Sequence, residues 1–242
     1  MGISWLSFGY FITLLEDNSA DCFSRFDVEY QLSAYRELYY GELGIYMPVE
    51  LDRAVDKRKS EFLVGRYAAK QCLLKQGWKV AAPDFKLEIG KHRAPIWPEG
   101  IVGSISHTSS KACVIVASSS EYKAIGVDIE NWIEAVSFDE FKNQILTDEE
   151  GDLINNIQLA NNKLGTLIFS AKESLFKALY PYVGEYFGFH DAGVQGICFS
   201  TEKIQLTLRR TLGKHPLIQM GRCFDVEFHI GEGDVFTKLL IQ

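Results

Sequence analysis

Ile101-Val102-Gly103-Ser104-Ile105-Ser106, Lys111-Ala112-Cys113-Val114-Ile115-Val116-Ala117 and Tyr122-Lys123-Ala124-Ile125-Gly126-Val127-Asp128-Ile129 are three runs rich in β-branched residues, separated by short polar turns. That rhythm predicts three strands of an antiparallel meander. Upstream, apolar spacing predicts helices over about 28–40 and 60–76, the second stopped by Gly77. Downstream the order repeats, with helices over 147–156 and 164–179 and then strands over 194–199, 203–209, 223–230 and 235–241. The expectation is an α+β chain: a pseudo-duplicated pair of similar halves, each a helix followed by an antiparallel sheet. The serine run at 118–120 marks the joint, dividing residues 1–118 from 119–242. No sequence repeat accompanies this order.

The chain has 242 residues, which at about 150 per domain falls between one large domain and two small ones. Hydrophobic residues at 47% and charged residues at 24% exclude a disordered or collagen-like chain. The five cysteines are scattered and include no C-x-x-C pair, so a reduced, cytoplasmic protein is expected. The apolar stretch 5–15 is too short to span a bilayer, and no Lys or Arg precedes Arg25. It reads as a strand, and Leu6 stands where a myristoylation motif wants Ser or Thr. No membrane insertion is expected.

A net charge of −7 argues against a nucleic-acid binder. Its distribution is uneven. Residues 53–93 hold eleven basic side chains against four acidic ones, a +7 island in a remainder of −14. Such an island suits a polyanionic ligand or an acidic partner protein, while any single lysine in it reads equally as a solvated helix face.

Three elements carry chemistry. Gly126-Val127-Asp128-Ile129-Glu130 reads as a strand end whose two carboxylates face one way, and crowded carboxylates call for a hard cation such as Mg²⁺. In Phe169-Ser170-Ala171-Lys172-Glu173-Ser174-Leu175-Phe176-Lys177-Ala178, the charged side chains lie off the apolar helical face. Glu173 is there either half of a surface pair with Lys177 worth roughly 0.2–0.5 kcal/mol, or a third metal carboxylate flanked by phosphate-binding lysines. Gly103-Ser104-Ile105-Ser106-His107 closes a strand. No G-x-S-x-G elbow exists, so its serine and histidine suit phosphate binding better than nucleophilic catalysis.

Taken in order along the chain, these three elements resemble the 4′-phosphopantetheinyl transferases, specifically the larger single-chain type associated with siderophore, nonribosomal peptide and polyketide synthesis. Arg58 with Gly65-Arg66-Tyr67-Ala68-Ala69, and Arg93-Ala94-Pro95-Ile96-Trp97-Pro98, strengthen the likeness. Tyr186-Phe187-Gly188-Phe189-His190-Asp191-Ala192 is similar to the enterobactin synthase component D branch. Phe169 departs from the family's common Trp.

The resemblance implies transfer of the phosphopantetheine arm of coenzyme A to a serine of an apo acyl- or peptidyl-carrier protein, with release of adenosine 3′,5′-bisphosphate. The ligand site would lie at the interface of the halves, adenosine phosphates on the first and diphosphate on the second. By the same resemblance Asp128, Glu130 and Glu173 hold Mg²⁺, with Mn²⁺ as an alternative, and Glu173, directly or through a metal-bound water, is the candidate base. Lys172 and Lys177 neutralise the diphosphate, with Lys172 also catalytic. Arg58, Arg66, Lys91, Arg93, Ser106 and His107 take the adenosine end, Lys91 and Arg93 being alternatives for direct contact. Lys57, Lys59, Lys70 and Lys75 remain for an acidic carrier protein, and a monomer is expected. Rival readings are a Mg²⁺-dependent nucleotide pyrophosphatase, with water replacing the carrier, and a non-catalytic module binding coenzyme A or the carrier.

Overall fold

The structure is a computed structural model and describes residues 11–16, 19–20, 22–80, 84–155 and 157–242. The chain divides into two compact units, Met1–Tyr122 and Lys123–Gln242. It is an α+β protein of two similar halves, each a long helix on an antiparallel sheet.

In the first unit the elements are β1 (Ile12–Glu16), β2 (Ser19–Ala20), β3 (Phe23–Tyr30), α1 (Tyr39–Leu43), α2 (Asp56–Lys75), β4 (Ile101–His107) and β5 (Lys111–Ser118). The sheet runs β1-β3-β5-β4, with β2 paired to β3, and every pairing is antiparallel. Residues 5–10 of the expected first strand lie outside the described residues, and β1 takes up from Ile12. α2 packs on β3 and β5 through Leu63, Val64, Ala68, Cys72 and Leu73, a spacing that keeps one face toward the sheet. Leu63 and Leu73 are almost wholly buried, each contributing about 1.5–3 kcal/mol. Gln76 caps the helix and Gly77 turns the chain at φ 77°.

The helix expected over 28–40 is absent. Phe26, Val28 and Tyr30 are buried while Arg25 and Asp27 form an ion pair on the other face of β3. This is a two-residue period, and β5 supplies its ladder. The helical spacing in the stretch came from Leu32, Tyr35 and Tyr39, which belong to a 3₁₀ turn and the approach to α1.

The second unit holds β6 (Ala124–Asn131), α3 (Ala135–Ile145), α4 (Asp148–Asn155), α5 (Asn161–Val183), β7 (Ala192–Cys198), β8 (Lys203–Leu208), β9 (Cys223–Ile230) and β10 (Asp234–Ile241). Its sheet runs β6-β10-β9-β8-β7, all antiparallel. β6 is therefore not the third strand of a meander with β4 and β5. It pairs along its whole length with the last strand of the chain. Each half thus begins with strand before helix, which replaces the helix-then-sheet order read from sequence. α3 also escaped that reading. α5 lies against β6 and β10, and it comes so close at Gly126 that a Cβ there would sit 1.8 Å from the Ser174 carbonyl oxygen.

Candidate functional site

Charge gathers at one place in each unit. In the first, a cavity of about 190 Å³ is lined by Arg58, Glu61 and Arg66 of α2, by Arg93, and by His107 at the end of β4. Arg58, Phe62 and Arg66 follow one another at four-residue spacing and so stand on one helical row. The Arg66 guanidinium lies 4.5 Å from the Phe62 ring centroid, and its Nε donates to the Leu87 carbonyl at 3.2 Å. Burial, aided by the Arg58 charge, pulls the Arg66 pKa down to about 10. Glu61 stands 3.9 Å from Arg58 and is the single acid on the lining. Three guanidiniums against one carboxylate make an anion site.

Arg93 reaches this lining through a strained turn. His92 and Arg93 have φ of 53° and 65°, a left-handed pair in which neither residue is glycine. Such a pair costs roughly 1–2 kcal/mol per residue. The turn is closed by Ala94 N–H donating to the Lys91 carbonyl at 3.2 Å and Gly90 N–H donating to the Ala94 carbonyl at 2.8 Å. Strain of this kind is kept where it aims a side chain. Of the two alternatives, Arg93 lines the cavity and Lys91 does not. Ser106 alternates with Ile105 and His107 along β4, so it faces the other way and stays off the lining.

The rest of the basic island is partly consumed by the fold. Lys59 is buried in an ion pair with Glu37 at 2.6 Å. Lys70 Nζ donates to the carbonyls of Leu43 at 2.8 Å and Gly44 at 3.1 Å, holding the C-terminal end of α1. Both lysines, which the sequence reading keeps for an acidic partner, have partners within the fold.

In the second unit Asp128 and Glu130 project from one face of β6, and α5 brings Glu173 and Lys177 over it. Lys177 Nζ donates to Asp128 Oδ1 at 2.6 Å and to the Val127 carbonyl at 3.0 Å. Asp128 is buried, whereas the Lys177 side chain keeps 25% of its surface exposed. Glu130 is pushed up to about 8, first by burial and then by the charge of Asp128, with Glu173 adding and Lys177 opposing. Burial also raises Glu173, Asp128 adding to the effect and Lys177 again opposing it. Glu173 is thus no half of a solvated surface pair. Among the described residues no group of three or more His, Cys, Asp or Glu side chains is arranged as it stands to hold a metal ion.

Lys172 is not part of this cluster. Its ammonium pairs with Glu150 at 2.7 Å, both side chains only 2% exposed, and donates to the Ile145 carbonyl at 2.9 Å. Glu150 also accepts from the backbone N–H of Thr147 and of Val194, each at 2.8 Å. Where the resemblance has Lys172 meet a diphosphate, the structure shows its ammonium engaged with Glu150 and the Ile145 carbonyl inside the fold. Sequence reasoning missed Glu150, although Thr147-Asp148-Glu149-Glu150 has the spacing of a capping box, and the reciprocal Glu150 N–H to Thr147 Oγ1 contact is 3.4 Å. Phe169 packs against Phe189 with ring centroids 5.3 Å apart, keeping an aromatic where the family commonly has Trp.

A further cavity, about 690 Å³ beside α3 and α4, contains none of the expected residues. Two of its cations are already paired, Lys142 with Asp139 at 2.7 Å and Arg209 with Glu149 at 2.9 Å. The charged residues singled out by the sequence gather instead at the smaller cavity and at the β6–α5 carboxylates. Among the described residues no helix is long and apolar enough to cross a membrane.

Residues 48–117 match the 4′-phosphopantetheinyl transferase N-terminal domain, and residues 124–221 match the 4′-phosphopantetheinyl transferase superfamily. The chain is 40% identical over 129 residues to enterobactin synthase component D of Escherichia coli O157:H7, covering 53% of this chain and 58% of that protein. The match to these curated relatives thus spans a little over half of their length. It is 29% identical over 228 residues to 4′-phosphopantetheinyl transferase PptT of Mycobacterium tuberculosis, covering 86% and 92% of the two chains. The Npt transferase of Nocardia iowensis is 29% identical over 142 residues, 59% of this chain and 61% of its own.

Proposed function

Because this chain belongs to the 4′-phosphopantetheinyl transferase superfamily, we propose that it moves the 4′-phosphopantetheine arm of coenzyme A to a serine of an apo acyl- or peptidyl-carrier protein. The observation that supports this most is the division of charge: cations line the first unit's cavity, and coupled carboxylates with one ammonium gather in the second. Coenzyme A carries a terminal phosphate and a bridging diphosphate, groups that call for cations and for carboxylates able to hold a metal ion.

Arg58, Arg66, Arg93 and His107 take the phosphates of the adenosine half by charge-assisted hydrogen bonds. The carrier's serine oxygen attacks the diphosphate phosphorus that bears the pantetheine arm. A new P–O bond forms, the bridging P–O bond breaks, and adenosine 3′,5′-bisphosphate leaves with the bridging oxygen. Phosphoryl transfer asks the protein mainly for positioning and charge neutralisation. Lys177 places positive charge beside the diphosphate. Glu173 accepts the serine proton, and burial, by raising its carboxyl pKa, makes it a stronger base than an ordinary glutamate.

The donor set fits Mg²⁺ chemically: Asp128, Glu130 and Glu173 are hard oxygen ligands, and burial beside the Asp128 charge disfavours the ionised forms of Glu130 and Glu173 until a cation is present. Those three residues would hold it, and it would supply charge neutralisation at the diphosphate. Mn²⁺ would serve the same donors.

The test is to mix the protein with coenzyme A, Mg²⁺ and a panel of apo carrier proteins and to weigh the products. The expected result is a carrier heavier by one phosphopantetheine together with stoichiometric adenosine bisphosphate. Bisphosphate formed without any carrier would mean hydrolysis, and no product with any carrier would leave a binding module.

A further inference from the structure

Between α5 and β10 lie three hydroxyls closed off from solvent. Ser170, Ser174 and Thr237 are each fully buried. Thr237 Oγ1 donates to the Ser170 carbonyl at 2.9 Å and lies 2.9 Å from Ser170 Oγ and 2.7 Å from Ser174 Oγ. Ser174 Oγ is also 3.1 Å from the Thr237 carbonyl, an acceptor. One residue of the sheet thereby grips α5 on both sides of Glu173, three positions before it and one after.

The same residue is tied to the other carboxylates. Thr237 stands directly opposite Asp128 in the β10–β6 ladder. Residues opposed in an antiparallel pair project from one face of the sheet. Apolar packing alone holds a helix on a sheet without fixing its register sharply, because a small slide changes little buried area. Hydrogen bonds have narrow distance and angle limits, so a satisfied buried knot selects one register. Ser174 is fixed from a second side, since its carbonyl fills the space that Gly126 leaves open on β6.

We infer that Thr237 is a positioning residue: through Ser170 and Ser174 it sets the register of α5 on the sheet, and so the separation of Glu173 from Asp128. The inference rests on the reading that these carboxylates are the working groups, but its test needs neither metal nor turnover.

The experiment is a double-mutant cycle in metal-free protein, with Asp128→Asn and Glu173→Gln measured by urea denaturation in three backgrounds: the parent, Thr237→Val and Thr237→Ser. The expected result is a coupling between the two carboxylates that falls by at least half in the Thr237→Val background. The Thr237→Ser background, which keeps the hydroxyl, retains it. A filler of the core would lower the melting temperature and leave the coupling unchanged, and that outcome overturns the proposal, as does a parent with no coupling. Should Thr237→Val fold too weakly to titrate, Ser170→Ala enters the same cycle with the same expected loss, and an unchanged coupling there overturns the proposal equally. Mn²⁺ titration of the parent, read by electron paramagnetic resonance, separately tests the metal reading. A failure to bind Mn²⁺ would remove the metal and leave the coupling measured in metal-free protein as it was.

Discussion

Both halves lay one long helix on an antiparallel sheet, yet α2 brings guanidiniums together and α5 brings carboxylates together. In the first half burial, with Arg58 nearby, draws the Arg66 pKa down to about 10, while in the second burial, with Asp128 and Glu173 nearby, pushes Glu130 up to about 8. Each site crowds charges of one sign, an arrangement that a ligand of opposite sign relieves. The scaffold does not choose the sign. A handful of side chains where the helix meets the strand ends does, and other helix lysines are engaged within the fold, Lys59 and Lys172 by carboxylates and Lys70 by backbone carbonyls.

The strongest way to break this contrast is at Lys172, which belongs to the scaffold and not to the site. Lys172→Met leaves Glu150 charged and buried, and loss of about 3–5 kcal/mol in urea denaturation is expected. Lys177→Met, at a partly exposed position, costs less in the same measurement. The reverse ranking would return Lys172 to the site.

Glu173→Gln comes next. Turnover with coenzyme A and carrier should fall roughly 10²-fold or more, about 3 kcal/mol in the transition state, with circular dichroism unchanged. Its metal-free melting temperature should be no lower than the parent's, because repulsion with Asp128 is relieved. A variant that keeps most of its rate removes Glu173 from the chemistry.

The carboxylate cluster also sets a pH dependence opposite to that of ordinary paired acids. Glu130 keeps its proton in the folded state up to about 8 and loses it near 4.5 when unfolded. The native state therefore binds the extra proton between these values, so this group's stabilisation is complete below the lower one and is lost as pH rises through the upper one. Metal-free stability should fall across that window, by at most roughly 1.4 kcal/mol per pH unit, and Glu130→Gln should flatten the slope. A rise with pH that Glu130→Gln abolishes would reverse the reading.

Arg93→Gly sharpens the first half of the comparison, since it removes a cavity cation and relieves a left-handed backbone at once. Coenzyme A affinity by calorimetry should drop about tenfold while stability holds or rises by up to about 1 kcal/mol. The smallest effect is expected at Lys70→Met, a loss of about 0.5–1 kcal/mol from the end of α1. The KM for the carrier should not move. A rise in that KM alone would put Lys70 at the partner surface.

Much of this was legible in the sequence where the signal was local. The strands of the second unit after α5 and both long helices follow from periodicity, and the Gly77 stop from backbone freedom. The resemblance grouped Arg58, Arg66, Lys91, Arg93, Ser106 and His107 at the adenosine end, and four of these, Arg58, Arg66, Arg93 and His107, line one cavity. β3 was misread because three aromatic or apolar residues beyond its end complete a helical spacing by coincidence. Ser106 was included with its neighbour although strand alternation sends the two to opposite faces.

What the sequence determined by itself, then, was the two long helices, most of the strands and the kinds of charged group they carry, since helix and strand periods, turns and caps are decided within a few residues. Only the tertiary structure decided who meets whom. Glu150 claims Lys172 across 22 residues, Asp128 claims Lys177 across 49, and Thr237 reaches Ser170 across 67. Partnership at such distances depends on which strand lies beside which, and β6 chose the last strand of the chain over the meander before it. A buried charge takes the nearest geometry that satisfies it, and that geometry does not exist until the sheet has closed.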